Sequence, residues 1–226
     1  WYANATGGIP LASGSTFTTP VISETTTYYA SANTGGTVNA QVGDAATIGT
    51  NNSLSLFNNY WSNAKYQIIY TASELNALGI VAGNINSMGY TTTTLGSAAT
   101  NSNYTVKMTT TNLSSFPTNT FVTGAFTTCY GPSTYTHTAA GLQTITFDTP
   151  FVWDGISNII VEVSMAGANA SASANTLYTE TADNTVVFSY NANTTISLSK
   201  LRFNTLFGTE AICSSPRKAI IATVAS

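Results

Sequence analysis

Charged residues are scarce in this chain. Asp, Glu, Lys and Arg make up 7% of its 226 residues, whereas globular proteins usually contain about 25%. The 6 basic and 9 acidic residues give a formal net charge of −3, and the basic ones are scattered. Nucleic-acid binding depends on clustered Lys and Arg side chains. The composition therefore argues against a nucleic-acid partner.

Cysteine is nearly absent as well. Cys129 and Cys213 are the 2 cysteines, and they do not form the closely spaced pairs of a zinc site. They fall in segments that we assign to different modules. Two interpretations stay open for them: a disulfide, as a secreted protein permits, or buried free thiols.

Long apolar runs are missing too. No apolar run approaches the roughly 18 residues that a membrane span requires, so the sequence predicts no membrane span. The chain begins with Trp1-Tyr2 inside a predicted strand and shows no signal peptide. We therefore expect it to be a slice from a longer protein, monomeric as a fragment.

Groups for catalysis are few. His137 is the single histidine, in a polar segment interpreted as a surface loop or strand edge, and no Gly-x-Ser-x-Gly motif accompanies it. The acidic residues form no recognisable pair for glycoside hydrolysis. The sequence predicts a protein that is not an enzyme and needs no cofactor.

Strand-forming residues are abundant. Thr, Ser and Asn supply the polar surface, and aromatic residues, including 12 Tyr, make up 11% of the chain. Period-two runs separated by turn residues predict an antiparallel β-sandwich or jelly roll. Examples of the predicted strands are Thr16–Thr19, Thr26–Ala30, Tyr66–Tyr70, Tyr104–Thr109, Phe121–Phe126, Gln143–Phe147, Ile159–Val163, Val186–Tyr190, Thr195–Leu198 and Ala219–Val224.

One short helix is predicted among the strands. Thr71 is followed three places later by Glu74, which is the spacing of a capping box. Leu75 and Leu78 then share a face, and Gly79 ends the segment. The cap explains Glu74 without a catalytic role.

The two ends of the chain together resemble one known module. Trp1–Leu11, Gly14–Pro20 and Thr25–Ala30 resemble the first strands of immunoglobulin-like repeats in large secreted proteins of gliding and related Bacteroidetes-type bacteria. The last strand of such a repeat resembles Cys213–Val224, about 180 residues later than expected. The resemblance implies a discontinuous immunoglobulin-like module, residues 1–34 plus 207–226, interrupted by an inserted domain. Two half-modules flanking one domain are the alternative.

The intervening residues 35–206 resemble a second module. Gln67–Tyr90, Tyr104–Met108 with Phe116, and Phe147–Val163 are similar to a jelly-roll-type sandwich beside such repeats in type IX-secreted surface and gliding-motility adhesins. The implied fold is an all-β jelly-roll-like antiparallel β-sandwich inserted into a small immunoglobulin-like β-sandwich.

The resemblance implies a secreted, cell-surface adhesin fragment that attaches to surfaces or glycans. Its partners would be a surface polysaccharide or another extracellular ligand, and neighbouring repeats of the same chain. Gliding motility is one implied setting. Two alternatives remain: a structural spacer repeat, and a carbohydrate-binding module of a secreted polysaccharide-degrading enzyme.

Aromatic side chains in polar segments are the candidate ligand-binding residues, because flat apolar faces suit sugar rings. Tyr130, Tyr135 and His137 lie in one such segment, and Tyr60 with Trp61 in another. The second pair can instead cap the core.

Calcium is an open possibility at one turn. Asp148, Asp154 and Asn158 supply closely spaced oxygens of the kind calcium binds. The alternative is that Asp154-Gly155 forms a simple β-turn.

Overall fold

The computed structural model of the chain describes most of its residues. The described ranges are 1–6, 11–12, 14–43, 47–48, 54–167, 170–191 and 195–224, with the backbone alone at 33–37, 47–48 and 211–214. Within them no helix has the length and apolar character needed to cross a membrane.

Strands dominate the described residues, as the sequence predicts. They are β1 (Thr26–Ala30), β2 (Asn33–Val42), β3 (Thr47–Ile48), β4 (Asn63–Tyr70), β5 (Gly83–Thr92), β6 (Thr100–Thr111), β7 (Thr127–Thr136), β8 (Gly141–Trp153), β9 (Asn158–Ala166), β10 (Leu177–Glu180), β11 (Val186–Tyr190), β12 (Thr195–Ser199), β13 (Leu201–Phe203), β14 (Thr205–Ser214) and β15 (Lys218–Ala222). The described helix is α1 (Ala72–Ala77).

The chain divides into two compact units. One comprises Trp1–Gly36 with Ala211–Ser226, and the other comprises Thr37–Glu210. Both ends of the chain thus belong to the smaller unit. The assignment of these parts to an immunoglobulin-like module and an inserted jelly roll stays a prediction.

The described residues of the smaller unit include a strand pair and an aromatic stack. Strands β1 and β15 are antiparallel, with Tyr28 opposite Ile220. The Phe17 ring lies 5.7 Å from that of Trp1 and 5.2 Å from that of Tyr28, measured between centroids. The predicted strand Thr16–Thr19 is wrong, since this segment pairs with no neighbouring strand among the described residues. Phe17 contributes packing there instead of ladder hydrogen bonds.

The larger unit is an antiparallel sandwich. Its main sheets have the strand orders β12–β11–β4–β9–β6–β7 and β2–β14–β5–β8, and a small sheet has the order β13–β10–β3. Alternate side chains of both main sheets enter one core, whose members include Ile68, Val106, Val161, Met88 and Ile145. The predicted all-β antiparallel sandwich is confirmed.

A second, smaller core lies on the opposite face of the six-stranded sheet. Ile69, Ile160 and Val187 point outward from the sheet and are buried with Phe116. Segment 112–126, which has no regular secondary structure after Thr111, supplies the cover. The predicted strand Phe121–Phe126 is therefore wrong. Its apolar residues signal burial, which a packed loop satisfies as well as a strand does.

The predicted capping box is present. Glu74 N donates to Thr71 Oγ1 (3.3 Å), and Thr71 N donates to Glu74 Oε2 (3.0 Å). Arg202, which is 5% exposed, adds a bidentate pair from Nη1 (3.0 Å) and Nη2 (2.6 Å) to the same carboxylate. Glu74 thus joins α1 to strand β13.

Candidate functional site

The first candidate segment is a strand at the edge of a sheet, so of the two interpretations given for it, the strand edge is correct and the surface loop is wrong. Residues 127–136 form β7, at the end of the six-stranded sheet's strand order. Thr136 pairs with Thr100 and Thr127 with Met108 of β6. Tyr130 and Tyr135 are partly buried and pack against the main core. The Gly and Pro residues of this segment suggested a loop, but the ladder to β6 accommodates them with register shifts.

His137 follows the edge strand β7 directly, as the strand-edge interpretation predicts, but it is buried rather than in a surface loop. It is 1% exposed, and its ring centroid lies 5.3 Å from that of Phe57. His137 Nε2 is 3.1 Å from the Leu95 carbonyl oxygen. The ring of Tyr135 stacks on the same Phe57 at 5.3 Å, and burial raises the pKa of Tyr135. His137 is thus buried and Tyr135 half-buried beside Phe57, and ligand binding by Tyr130, Tyr135 and His137 stays a prediction.

The second candidate segment remains accessible. Tyr60 is 38% exposed, and its ring meets that of Trp61 edge to face at 4.9 Å. Trp61 stacks on Tyr190 of β11 at 5.5 Å with an interplanar angle of 15°. We call Tyr60, Trp61 and Tyr190 the aromatic corner. The structure brings together two predicted residues and one that the sequence analysis did not select.

Amide side chains fix the backbone of the aromatic corner. Trp61 N donates to Asn58 Oδ1 at 3.2 Å. Ser62 donates to Asn191 Oδ1 from its amide (3.3 Å) and its hydroxyl (3.0 Å). The buried Trp61 Nε1 has no hydrogen-bond partner among the described residues. The corner therefore combines rigid rings with a polar surround.

The three calcium candidates have separate structural partners. Asp148 Oδ2 accepts from Gly131 N at 3.0 Å. Asp154 accepts from Ile156 N and from the Ser157 amide and hydroxyl. Asn158 Oδ1 accepts from Ala72 N at 2.8 Å, which satisfies a free amide at the start of α1. No group of three or more His, Cys, Asp or Glu side chains that could hold a metal occurs in the described part of the chain. Calcium binding stays a prediction.

Hydrogen bonding also explains the charge state of Asp154. The Ser157 side chain, followed by the Ser157 and Ile156 amides, holds the pKa of Asp154 below its usual value of 3.8. These hydrogen bonds stabilise the turn at Asp154-Gly155, which is the predicted alternative to a metal site.

Cys129 is a buried free thiol. Burial raises the pKa of the Cys129 thiol to about 12, and a protonated thiol is a poor nucleophile. The side chain of Cys213 lies outside the described residues.

Two further features were not found from the sequence. Tyr190 lies at the end of a period-two strand, and nothing in the sequence indicates that its ring packs on Trp61. The two residues are 129 positions apart, as are their hydrogen-bonded neighbours Ser62 and Asn191. Lys65, Lys107 and Glu162 stand on three different strands, β4, β6 and β9, and line one concave surface. The sequence signal that could have indicated this surface is the single charged residue in each of the three otherwise uncharged strands.

Comparison with known proteins identifies one region. Residues 1–51 match the model of the family described as Ig-like domain, CHU_C-associated. No curated protein matches the chain. The match supports an immunoglobulin-like module of the predicted kind in the first part of the chain.

One solved structure is similar to the larger part of the chain. It is the crystal structure of the cysteine protease and lectin-like domains of Cwp84, a surface layer associated protein of Clostridium difficile. The identity is 8%, the TM-score is 0.38, and the alignment covers 66% of this chain and 32% of that one. The chain thus spans about a third of that structure. A likeness this distant carries no functional argument.

Proposed function

We propose that the chain is an adhesive segment of a secreted bacterial cell-surface protein and that it attaches to an extracellular glycan. The immunoglobulin-like match over residues 1–51 supports a surface setting. The aromatic corner supports a glycan as the ligand. The single observation that carries the proposal is the exposed Tyr60 ring, held against Trp61 within a surround of amides and hydroxyls.

The aromatic corner suits a sugar because it offers both kinds of contact that sugars make. The C–H faces of a sugar ring pack on a flat aromatic surface, and its hydroxyls pair with amides and hydroxyls. Stacking on Tyr190 holds Trp61, and Trp61 in turn holds Tyr60. A ring that is already fixed loses little conformational entropy on binding.

This arrangement favours a binding role over a spacer role. A spacer repeat requires a stable core, and the exposed ring of Tyr60 lies outside that core. An exposed tyrosine beside a tryptophan adds nothing to that core. Attachment through this surface is the function that the geometry supports best.

We expect Tyr60→Ala to weaken glycan binding at least ~10-fold, which is ~1.4 kcal/mol of binding free energy. The experiment is a glycan array with the full chain, followed by affinity measurement on the best glycan. Tyr130→Ala is the matched control, because Tyr130 is a partly buried tyrosine on β7, and three strands separate β7 from β11, which carries Tyr190.

Two results would overturn the proposal. One is silence of the wild-type chain across a broad array, which would favour the spacer. The other is loss of binding in Tyr130→Ala with full binding in Tyr60→Ala, which would move the site to β7.

We expect the same array signals in calcium and in EDTA. The reason is that Asp154 and Asn158 already accept hydrogen bonds from the protein. Loss of every signal in EDTA would show that a calcium site supports binding.

A further inference from the structure

A charged pocket lies on the outer face of the six-stranded sheet, separate from the aromatic corner. Its volume is about 300 Å³, and Lys65, Lys107 and Glu162 line it together with Val122, Thr123, Gly124 and Phe126. The size is at the lower end of small-molecule sites, about 300–1,000 Å³. In a chain with 7% charged residues, three charges on adjacent strands form an unusual concentration.

Strand register creates this concentration. Glu162 of β9 lies opposite Gln67 of β4 on one side and opposite Lys107 of β6 on the other. Lys65 precedes Gln67 by two positions, so it shares the same face of the sheet. The charged side chains therefore project together beside the smaller core.

The charges in the pocket do not cancel. Lys65 Nζ lies 2.9 Å from Glu162 Oε2, and Gln67 Nε2 donates to the same oxygen at 2.8 Å. Lys107 has no ion-pair partner within 4.0 Å among the described residues. One positive charge, on a partly buried lysine, is left without a counter-charge.

The wall of the pocket is fixed in place. Gln67 holds the Val122 backbone at both polar groups, accepting from its N–H (2.8 Å) and donating to its carbonyl oxygen (2.8 Å). Lys65 Nζ lies 4.6 Å from the centroid of the Phe121 ring. Thr109 Oγ1 donates to the Ala125 carbonyl oxygen at 2.9 Å. The pocket is thus preorganised rather than formed by a loose loop.

We infer that this pocket binds a carboxylate-bearing sugar residue, such as a uronic acid. Lys107 would pair with the carboxylate, and the apolar surfaces of Val122 and Phe126 would face the sugar ring. The Thr123 hydroxyl and the Glu162 carboxylate would meet sugar hydroxyls. A monoanion fits better than a phosphate dianion, because the fixed charge of Glu162 opposes the second negative charge.

The inference goes beyond the proposed function, because it assigns a second site that selects acidic sugars. It does not depend on Tyr60. Tyr60→Ala should therefore leave binding at this pocket unchanged, which distinguishes failure of one proposal from failure of the other.

The test is titration of the full chain with trigalacturonate and, as the uncharged counterpart, trigalactose. We expect Lys107→Met to weaken trigalacturonate binding about tenfold or more, as loss of a charge-assisted hydrogen bond implies. Lys200→Met is the matched control, because Lys200 is exposed and makes the same change in net charge. Lys107→Arg should retain binding.

Several results would overturn the inference. They are no trigalacturonate binding by wild type, equal binding of trigalactose, undiminished binding in Lys107→Met, or equal losses in Lys107→Met and Lys200→Met. Acetate binding as tight as trigalacturonate would overturn the assignment to a sugar. If Lys107→Met fails to fold, the ¹⁵N resonance of Lys107 Nζ in wild type decides: it should shift on addition of trigalacturonate, and an unmoved resonance would refute the site.

Discussion

Replacing Phe57 by alanine should destabilise the larger unit by about 3–5 kcal/mol, the usual cost of emptying a buried aromatic site. Phe57 is fully buried, and its ring contacts those of Tyr104, Tyr135 and His137 at centroid distances of 5.7, 5.3 and 5.3 Å. Removal of the ring leaves a cavity and also ends these aromatic contacts. Denaturant unfolding, followed by circular dichroism, measures the change.

The control for Phe57→Ala is Leu142→Ala, which also truncates an apolar side chain. Leu142 is 51% exposed, so its loss should change the free energy of unfolding by no more than about 0.5 kcal/mol. Equal stability of Phe57→Ala and wild type would contradict the packing of Tyr135 and His137 around Phe57.

Replacing Glu74 by glutamine should cost about 2–3 kcal/mol at neutral pH. Loss of one partner from a buried ion pair typically costs about 3–5 kcal/mol, and we expect less because the Glu74 side chain is 37% exposed. Arg202 remains 5% exposed in the folded protein and loses both charge-assisted bonds. Thermal and denaturant unfolding of the variant give the measurement.

Lowering the pH should remove the difference in unfolding free energy between wild type and Glu74→Gln. Desolvation would raise the pKa of Glu74, but hydrogen bonds from Arg202 and Thr71 outweigh it and hold that pKa below its usual value of 4.5. A depressed folded-state pKa stabilises the protein above the unfolded-state value, and the stabilisation is lost as pH falls through the folded-state value. The wild-type advantage should therefore be full above about pH 4.5 and shrink below it.

Two further variants test the origin of the Glu74 effect. Glu180→Gln makes the same chemical change at an exposed residue and should be nearly neutral. Glu74→Gln combined with Arg202→Met should be more stable than Glu74→Gln alone, because it removes the uncompensated buried charge. A pH-independent difference between Glu74→Gln and wild type would contradict the ion pair as the cause.

The sequence predicts regular elements well where periodicity and burial coincide. In β9, Ile159 and Val161 alternate with outward-facing neighbours, and the strand forms where it is predicted. Capping of α1 is equally local, since Thr71 and Glu74 stand three residues apart. Such features require only short-range information, which the sequence carries directly.

Sequence reasoning fails where apolar residues are buried without strand pairing, or where partners lie far apart. Phe121 and Phe126 pack over the sheet from a loop, so their spacing resembled a strand. His137 occurs among polar neighbours and is nevertheless buried against Phe57. The charged pocket depends on the register of three strands, which no local pattern in the sequence specifies.

The central claim is that the aromatic corner binds an extracellular glycan. Its most direct test is NMR of the full chain during titration with the best glycan from the array, observing the Trp61 Nε1–H and Tyr60 ring signals. We predict saturable shifts of both, with the signals of Tyr130 and Tyr135 unchanged. Saturable binding that shifts Tyr130 and Tyr135 while Tyr60 and Trp61 stay unchanged would contradict the claim.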